Sequence, residues 1–87
     1  MAELPNVEVM SRANCHLCDE AKRVVAEAAS AGLCDWQVVN VDGDARLLKR
    51  YGLDVPVILV DGEVRFKHRI DLPTLRKALE NGGTTIC

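Results

Sequence analysis

Aromatic side chains are scarce in this 87-residue sequence: Trp36, Tyr51 and Phe66 are the whole set. Surfaces that hold single-stranded nucleic acid rest on aromatic faces against which bases stack, so three scattered rings argue against that function. Positive charge is not in excess either. Eleven Lys and Arg against 13 Asp and Glu leave a net charge of −2, the wrong sign for a surface that tracks phosphates. Long apolar runs are missing. The most apolar stretch, Val55 to Val60, is far short of the ~20 residues that cross a bilayer. The opening residues Met1-Ala2-Glu3-Leu4-Pro5 hold neither a basic nor an apolar block, so they do not read as a signal peptide and the expected compartment is the cytoplasm. The sequence contains no repeat, low-complexity tract or linker. A single domain over 1–87 is expected, with a frayed start over 1–6 and a flexible tail from about residue 82.

Cysteine is what the chain does have, at four positions: 15, 18, 34 and 87. In a secreted mini-protein four cysteines imply a framework of staples. In a cytosolic chain they imply catalysis or metal binding. With 48% apolar residues the chain can make a core without covalent help.

The residue pattern predicts seven elements. Val7 to Ser11 is a short strand with β-branched residues at alternate positions, and Glu8 within it is expected near an exposed end. Leu17, Ala21, Val24, Val25 and Ala28 form a helical stripe, started by Asn14 or Cys15 as N-cap and stopped by Gly32. Trp36 to Val41 is a second strand. Asp42-Gly43-Asp44 turns the chain, and Asp44 caps a short helix from Ala45 to Tyr51 that Gly52 closes. Pro56 to Val60 is a buried strand. Asp61-Gly62 marks a tight hairpin into Glu63 to Arg69, where Val64, Phe66 and His68 alternate with Arg65, Lys67 and Arg69. Asp71 caps a last helix, Leu72 to Asn81, with Leu72, Leu75 and Leu79 as its buried stripe. The order β-α-β-α-β-β-α predicts an α/β fold: one mixed four-stranded sheet with helices on both faces, the first and third strands central and the fourth at an edge.

Cys15-His16-Leu17-Cys18 sits where the first helix begins. One helical turn brings two cysteines so spaced within bridging distance. Free backbone N–H groups and the helix dipole favour negative charge there, which stabilises a thiolate on Cys15, the cysteine nearer the helix start. Cys18, one turn inside, is expected to be the more buried. Cys15 is therefore the candidate nucleophile toward a disulfide, and Cys18 the thiol that resolves the mixed disulfide. Arg12 and a protonated His16 would support the thiolate, and Asp19 and Glu20 would oppose it; His16 also reads simply as an exposed first-turn residue. A metal or iron–sulfur site is the rival reading. It needs two more ligands from Cys34, Cys87, His16 and His68, none of which forms a second close pair.

The run Cys15 to Lys22 (C-H-L-C-D-E-A-K), directly after a short strand, resembles the glutaredoxin-like proteins of the thioredoxin superfamily, and more narrowly a group of small bacterial members. Tyr51-Gly52-Leu53-Asp54-Val55-Pro56 is a second match, and the resemblance covers Val7 to Asn81. It implies a thioredoxin-like fold and a cytoplasmic thiol–disulfide oxidoreductase acting in electron transport and redox homeostasis, with Cys15 and Cys18 as the redox-active pair. It also implies a cis Val55–Pro56 bond facing that pair, whereas the residues alone make trans the default. The backbone before the proline would then pair with glutathione or a peptide. Arg12 matches a basic residue that the family places before the first cysteine, and Asp71 matches an acid at the start of the last helix that holds glutathione. His68-Arg69-Ile70 stands in place of the glycines that precede that acid, and Val9 stands where thioredoxins bury an acid. No bound cofactor or metal is expected. Protein disulfides or glutathione would be the partners, a reductase or glutathione the electron source, and the chain a monomer without nucleic-acid or membrane partners. Two other readings of the fold are a metal or iron–sulfur carrier and a non-enzymatic interaction domain.

The other candidates read more plainly. Cys34 is expected to be a half-buried structural thiol, and Cys87 an exposed thiol prone to oxidation. Arg65, Lys67 and Arg69 are expected to form a basic ridge that guards an edge strand. Trp36 reads as packing.

Overall fold

A computed structural model describes residues 4–82. Gly82, expected to begin the tail, still belongs to the last helix, and residues 83–87, Cys87 among them, lie outside the described residues. The elements are β1 (Asn6–Ser11), α1 (His16–Ser30), β2 (Asp35–Asn40), a 3-10 turn (Val41–Gly43), α2 (Ala45–Tyr51), β3 (Val57–Val60), β4 (Glu63–Lys67) and α3 (Leu72–Gly82). The strands form one sheet in the order β2-β1-β3-β4. β1 runs parallel to β2 and antiparallel to β3, and β3 runs antiparallel to β4. The expected element order, mixed sheet and central pair are all present. Asn6, expected within a frayed start, is already in β1, and its N–H donates to the Asp61 carboxylate at 2.9 Å.

Alternation along the strands sorts the core onto two faces. Val7, Val9, Ile58 and Val60 pack with Ala21, Val25 and Ala28 of α1 and Leu75 and Leu79 of α3. Met10, Val57 and Leu59 pack with Val41 and Tyr51 on the α2 side. Because helices cover both faces of β3, all four of its residues are buried, which explains an unbroken apolar run where a half-exposed strand would alternate. Asp61 and Gly62 both take positive φ, 51° and 84°, as the tight hairpin requires.

Two expectations need correction. Glu8 is not at a strand end. It is half-buried within β1, beside Leu59 in register, and its carboxylate accepts a hydrogen bond from Gln37 Nε2 at 3.0 Å. The even alternation of Val64, Phe66 and His68 is also broken. Leu59 pairs with Val64 but Ile58 pairs with Phe66, so β4 holds one extra residue, a bulge at Arg65. Phe66 therefore packs on the α1–α3 face while Val64 turns to the other face and stays partly exposed. β4 ends at Lys67, and His68 turns away with φ 70°. Two of the basic residues of this edge stand near acids. Arg65 lies 3.7 Å from Glu63 and Lys67 3.5 Å from Asp54.

Gly52 closes α2 for a steric reason. It is buried, and a Cβ there would collide with the Leu48 carbonyl oxygen and approach Leu48 Cδ1 to 2.8 Å. Gly52→Ala is therefore expected to destabilise the fold by about 1–3 kcal/mol, as overpacking does, measurable as a lower urea midpoint with an unchanged slope.

Candidate functional site

β1 delivers the chain to one end of the sheet, where Ala13 and Asn14 make a tight turn. Asn14 takes φ 58°, a left-handed conformation that asparagine tolerates better than most residues. This settles the choice of cap. Asn14 bends the chain, and Cys15, with extended φ −108° and ψ 105°, is the N-cap of α1. The Cys15 sulfur accepts a hydrogen bond from the Cys18 N–H at 3.1 Å. Cys15 and Cys18 are joined by a disulfide, with their Cα atoms 5.1 Å apart. Cys15 is partly exposed and Cys18 is 0% exposed, the asymmetry their positions imply.

The charges around the pair are matched among themselves. Arg12 Nε lies 2.9 Å from the Asp42 carboxylate in the turn after β2. His16 is largely exposed and meets Glu20 one turn on at 3.1 Å. Lys22 stands 3.6 Å from Asp19. With Arg12 and Lys22 each facing an acid, the direct support for negative charge on Cys15 is the helix start itself, through the Cys18 N–H. Arg12 thus ties two loops together at this end of the sheet.

The Val55–Pro56 bond is cis, as the resemblance implies. Met10 pairs with Val57, so one step along the ladder brings Ser11 level with Pro56, at the end of the sheet where the Cys15 turn begins. Pro56 is buried and Val55 half-buried. The Pro56 carbonyl accepts from the His68 N–H at 2.8 Å, so the segment leading to Asp71 starts from this same end. Sequence reasoning missed Asp54, which precedes Val55 and faces both Lys67 at 3.5 Å and His68 at 3.9 Å. Its partners are set by the bulged hairpin, so no local spacing announces them.

Asp71 caps α3. Its carboxylate accepts from the Thr74 N–H at 2.9 Å. The Thr74 hydroxyl and then the Thr74 N–H hold the carboxyl below the usual aspartate value. Folding therefore favours the ionised form. The contribution is complete above the unfolded value near ~3.9 and is lost as pH falls through the depressed folded value. Asp71→Asn is expected to remove this dependence. Thermal melts from about pH 7 to pH 2.5 should show the parent losing its advantage over the variant only below about pH 4.

Cys34 takes no part in this site. It precedes β2 at the opposite end of the sheet and packs into the α1–α3 core, 2% exposed and so more buried than expected. Burial, and secondarily Asp35, pushes its thiol pKa up, which disfavours the thiolate. Among the described residues, no group of three or more His, Cys, Asp or Glu is placed to hold a metal ion. No described helix is long and apolar enough to cross a membrane.

Residues 6–80 match the family described as Glutaredoxin-like domain (DUF836). A glutaredoxin-like protein of Dictyostelium discoideum is 32% identical over 81 residues, covering 86% of this chain and 75% of that protein. An uncharacterised protein of Mycobacterium bovis is 31% identical over 77 residues, covering 83% and 79%. Among solved structures, a structural-genomics target from X. campestris superposes with a TM-score of 0.72 at 34% identity, over 85% of this chain and 95% of that one. A mutant thioredoxin from Halobacterium salinarum superposes with a TM-score of 0.69 at 22% identity, over 88% and 73%, a likeness of fold.

Proposed function

The chain belongs to the glutaredoxin-like domain family, and from that membership we propose that it is a thiol–disulfide oxidoreductase. The observation that carries the reading is the Cys15–Cys18 pair astride the start of α1, with the outer sulfur on a free helix N–H and the inner one enclosed. In the reduced protein the Cys15 thiolate attacks one sulfur of a substrate disulfide. A Cys15–substrate disulfide forms, and the other substrate sulfur leaves as a thiolate. Cys18 then gives up its proton and attacks the Cys15 sulfur, which closes the Cys15–Cys18 disulfide and releases the second substrate thiolate. Two electrons have passed to the substrate, and an external thiol or a reductase returns them to the pair.

Two features shape this chemistry. Val9, at the position where a buried acid would take the Cys18 proton, is apolar and wholly buried. The Cys18 proton must pass to a departing substrate thiolate or to water. The Asp71 carboxylate is engaged by Thr74, and Arg69 and Ile70 precede it in place of glycines. A glutathione γ-glutamyl group would have less room there, which favours protein disulfides as the substrate class. The backbone at Val55, before the cis Pro56, would pair with such a substrate. Metal carriage is the weaker reading, because ligands beyond Cys15 and Cys18 would have to come from outside the described residues or from a second molecule.

The test is an insulin-reduction assay beside a glutathionylated-peptide assay. Accelerated insulin reduction that exceeds activity on the glutathionylated peptide is expected. Acceleration of neither reaction would overturn the enzyme reading, and a preference for the glutathionylated peptide would overturn the substrate class.

A further inference from the structure

β2 lies at one edge of the sheet, and its backbone shows which groups are left over. The Asp35 N–H donates to the Pro5 carbonyl at 3.0 Å, toward β1. Backbone groups alternate in direction along a strand, so Asp35, Gln37 and Val39 address β1 while Trp36, Val38 and Asn40 address the outside of the sheet. Asn40 also caps the 3-10 turn, which engages its carbonyl. Among the described residues, what remains free along this edge is the N–H and C=O of Trp36 and Val38, and the N–H of Asn40.

Edges of this kind are usually guarded by ionised side chains or by bulges. The opposite edge, β4, has both: Glu63, Arg65 and Lys67, and the bulge at Arg65. β2 has a single ionised residue, Asp35, at its first position. The rest of the strand, Trp36-Gln37-Val38-Val39-Asn40, is neutral and rich in β-forming side chains. Val38, at the middle of the outward-facing set, is 43% exposed.

We propose that this edge pairs with the same edge of a second copy of the chain, antiparallel, about a two-fold axis at Val38. A two-fold contact demands a surface complementary to itself, and this strand is. Val38 meets Val38 of the second copy and Trp36 meets Asn40, so every outward residue faces an outward residue. Four hydrogen bonds close: two between the Val38 residues, and one from each Asn40 N–H to the facing Trp36 carbonyl. Asp35 falls opposite Val41, so no acid meets an acid. A partner of another sequence would have to supply this complement, whereas a second copy already carries it. The two sheets become one eight-stranded sheet, and the antiparallel relation sends the two Cys15 sites to opposite ends, both open. A single strand edge buries less than the roughly 1,200 Å² of a standard interface, so the dimer is weak and depends on concentration.

Sedimentation of the Cys87→Ser protein under reductant, from about 10 μM to about 1 mM, tests this without intermolecular disulfides. The mass is expected to rise from 9.5 kDa toward twice that value. Val38→Lys sets two ammonium groups against each other on the axis and should weaken association at least tenfold, whereas Val64→Lys on the guarded edge should leave it unchanged. In the Cys87→Ser protein, the Val38 and Asn40 amides should exchange more slowly as concentration rises, and the Trp36 amide should not. A monomer throughout the range would overturn the proposal. So would a Val38→Lys protein that associates normally, loss of association in Val64→Lys, or exchange protection that bypasses Val38 and Asn40. The test is independent of thiol chemistry.

Discussion

Cys15→Ser is expected to lower turnover of protein disulfides by more than about 100-fold, to the uncatalysed background. A serine hydroxyl at the helix start does not ionise near neutral pH, so the Cys18 N–H that contacts the Cys15 sulfur would have no nucleophile to stabilise. Cys18→Ser should fail differently. Attack by Cys15 still occurs, but the buried position that resolves the mixed disulfide now holds a hydroxyl. With a protein substrate the reaction stops after one event, and intact mass analysis should find the substrate joined to Cys15. With excess glutathione a second thiol from solution can complete the cycle, so part of the activity on small mixed disulfides survives. Equal loss in both variants, with no trapped adduct in Cys18→Ser, would show that the two cysteines do not divide the roles by exposure.

Ile58→Ala should bring the largest loss of stability. Ile58 is 1% exposed on a central strand, between β1 and β4, and faces the core that α1 and α3 cover. Truncating such a residue removes transfer energy and leaves a cavity, at about 2–5 kcal/mol. A domain of this size is held by about 4–13 kcal/mol, so one substitution takes a large share. Thermal unfolding should fall by more than about 10 °C. Val64→Ala, at a partly exposed position on β4, serves as the comparison and should change little. A drop of only a few degrees for Ile58→Ala would mean that the core over β3 collapses around the gap or is less tightly packed than the structure indicates.

The parts of the fold governed by local chemistry were legible in the sequence. Asp61-Gly62 announced its hairpin because both residues tolerate positive φ. Asp44 and Asp71 announced helix starts because a carboxylate can reach N–H groups two or three residues on. Cys15 and Cys18 announced themselves by a spacing that is one helical turn. What escaped depends on contacts between distant segments. Arg12 finds Asp42 across 30 residues, so the basic residue expected to aid the thiolate is occupied elsewhere. The bulge at Arg65 is a property of how β4 meets β3, and the pattern of Val64, Phe66 and His68 looks regular without that partner. Glu8 was misplaced because an acid in a central strand is unexpected until Gln37 on the neighbouring strand is seen to donate to it. The cis bond before Pro56 was not readable from the residues alone, which favour trans; it followed from the family resemblance.

The central assignment, a redox couple formed by Cys15 and Cys18, is most directly tested by equilibrating the protein in glutathione buffers of graded potential. Cys34 and Cys87 are first changed to serine, and the thiols are trapped and mapped by mass at each step. The expected result is one reversible two-electron transition in which the Cys15–Cys18 bridge opens and closes, with Cys15 the first of the two to be alkylated in the reduced state. A protein that never forms this bridge, or one in which Cys18 is alkylated first, would refute it.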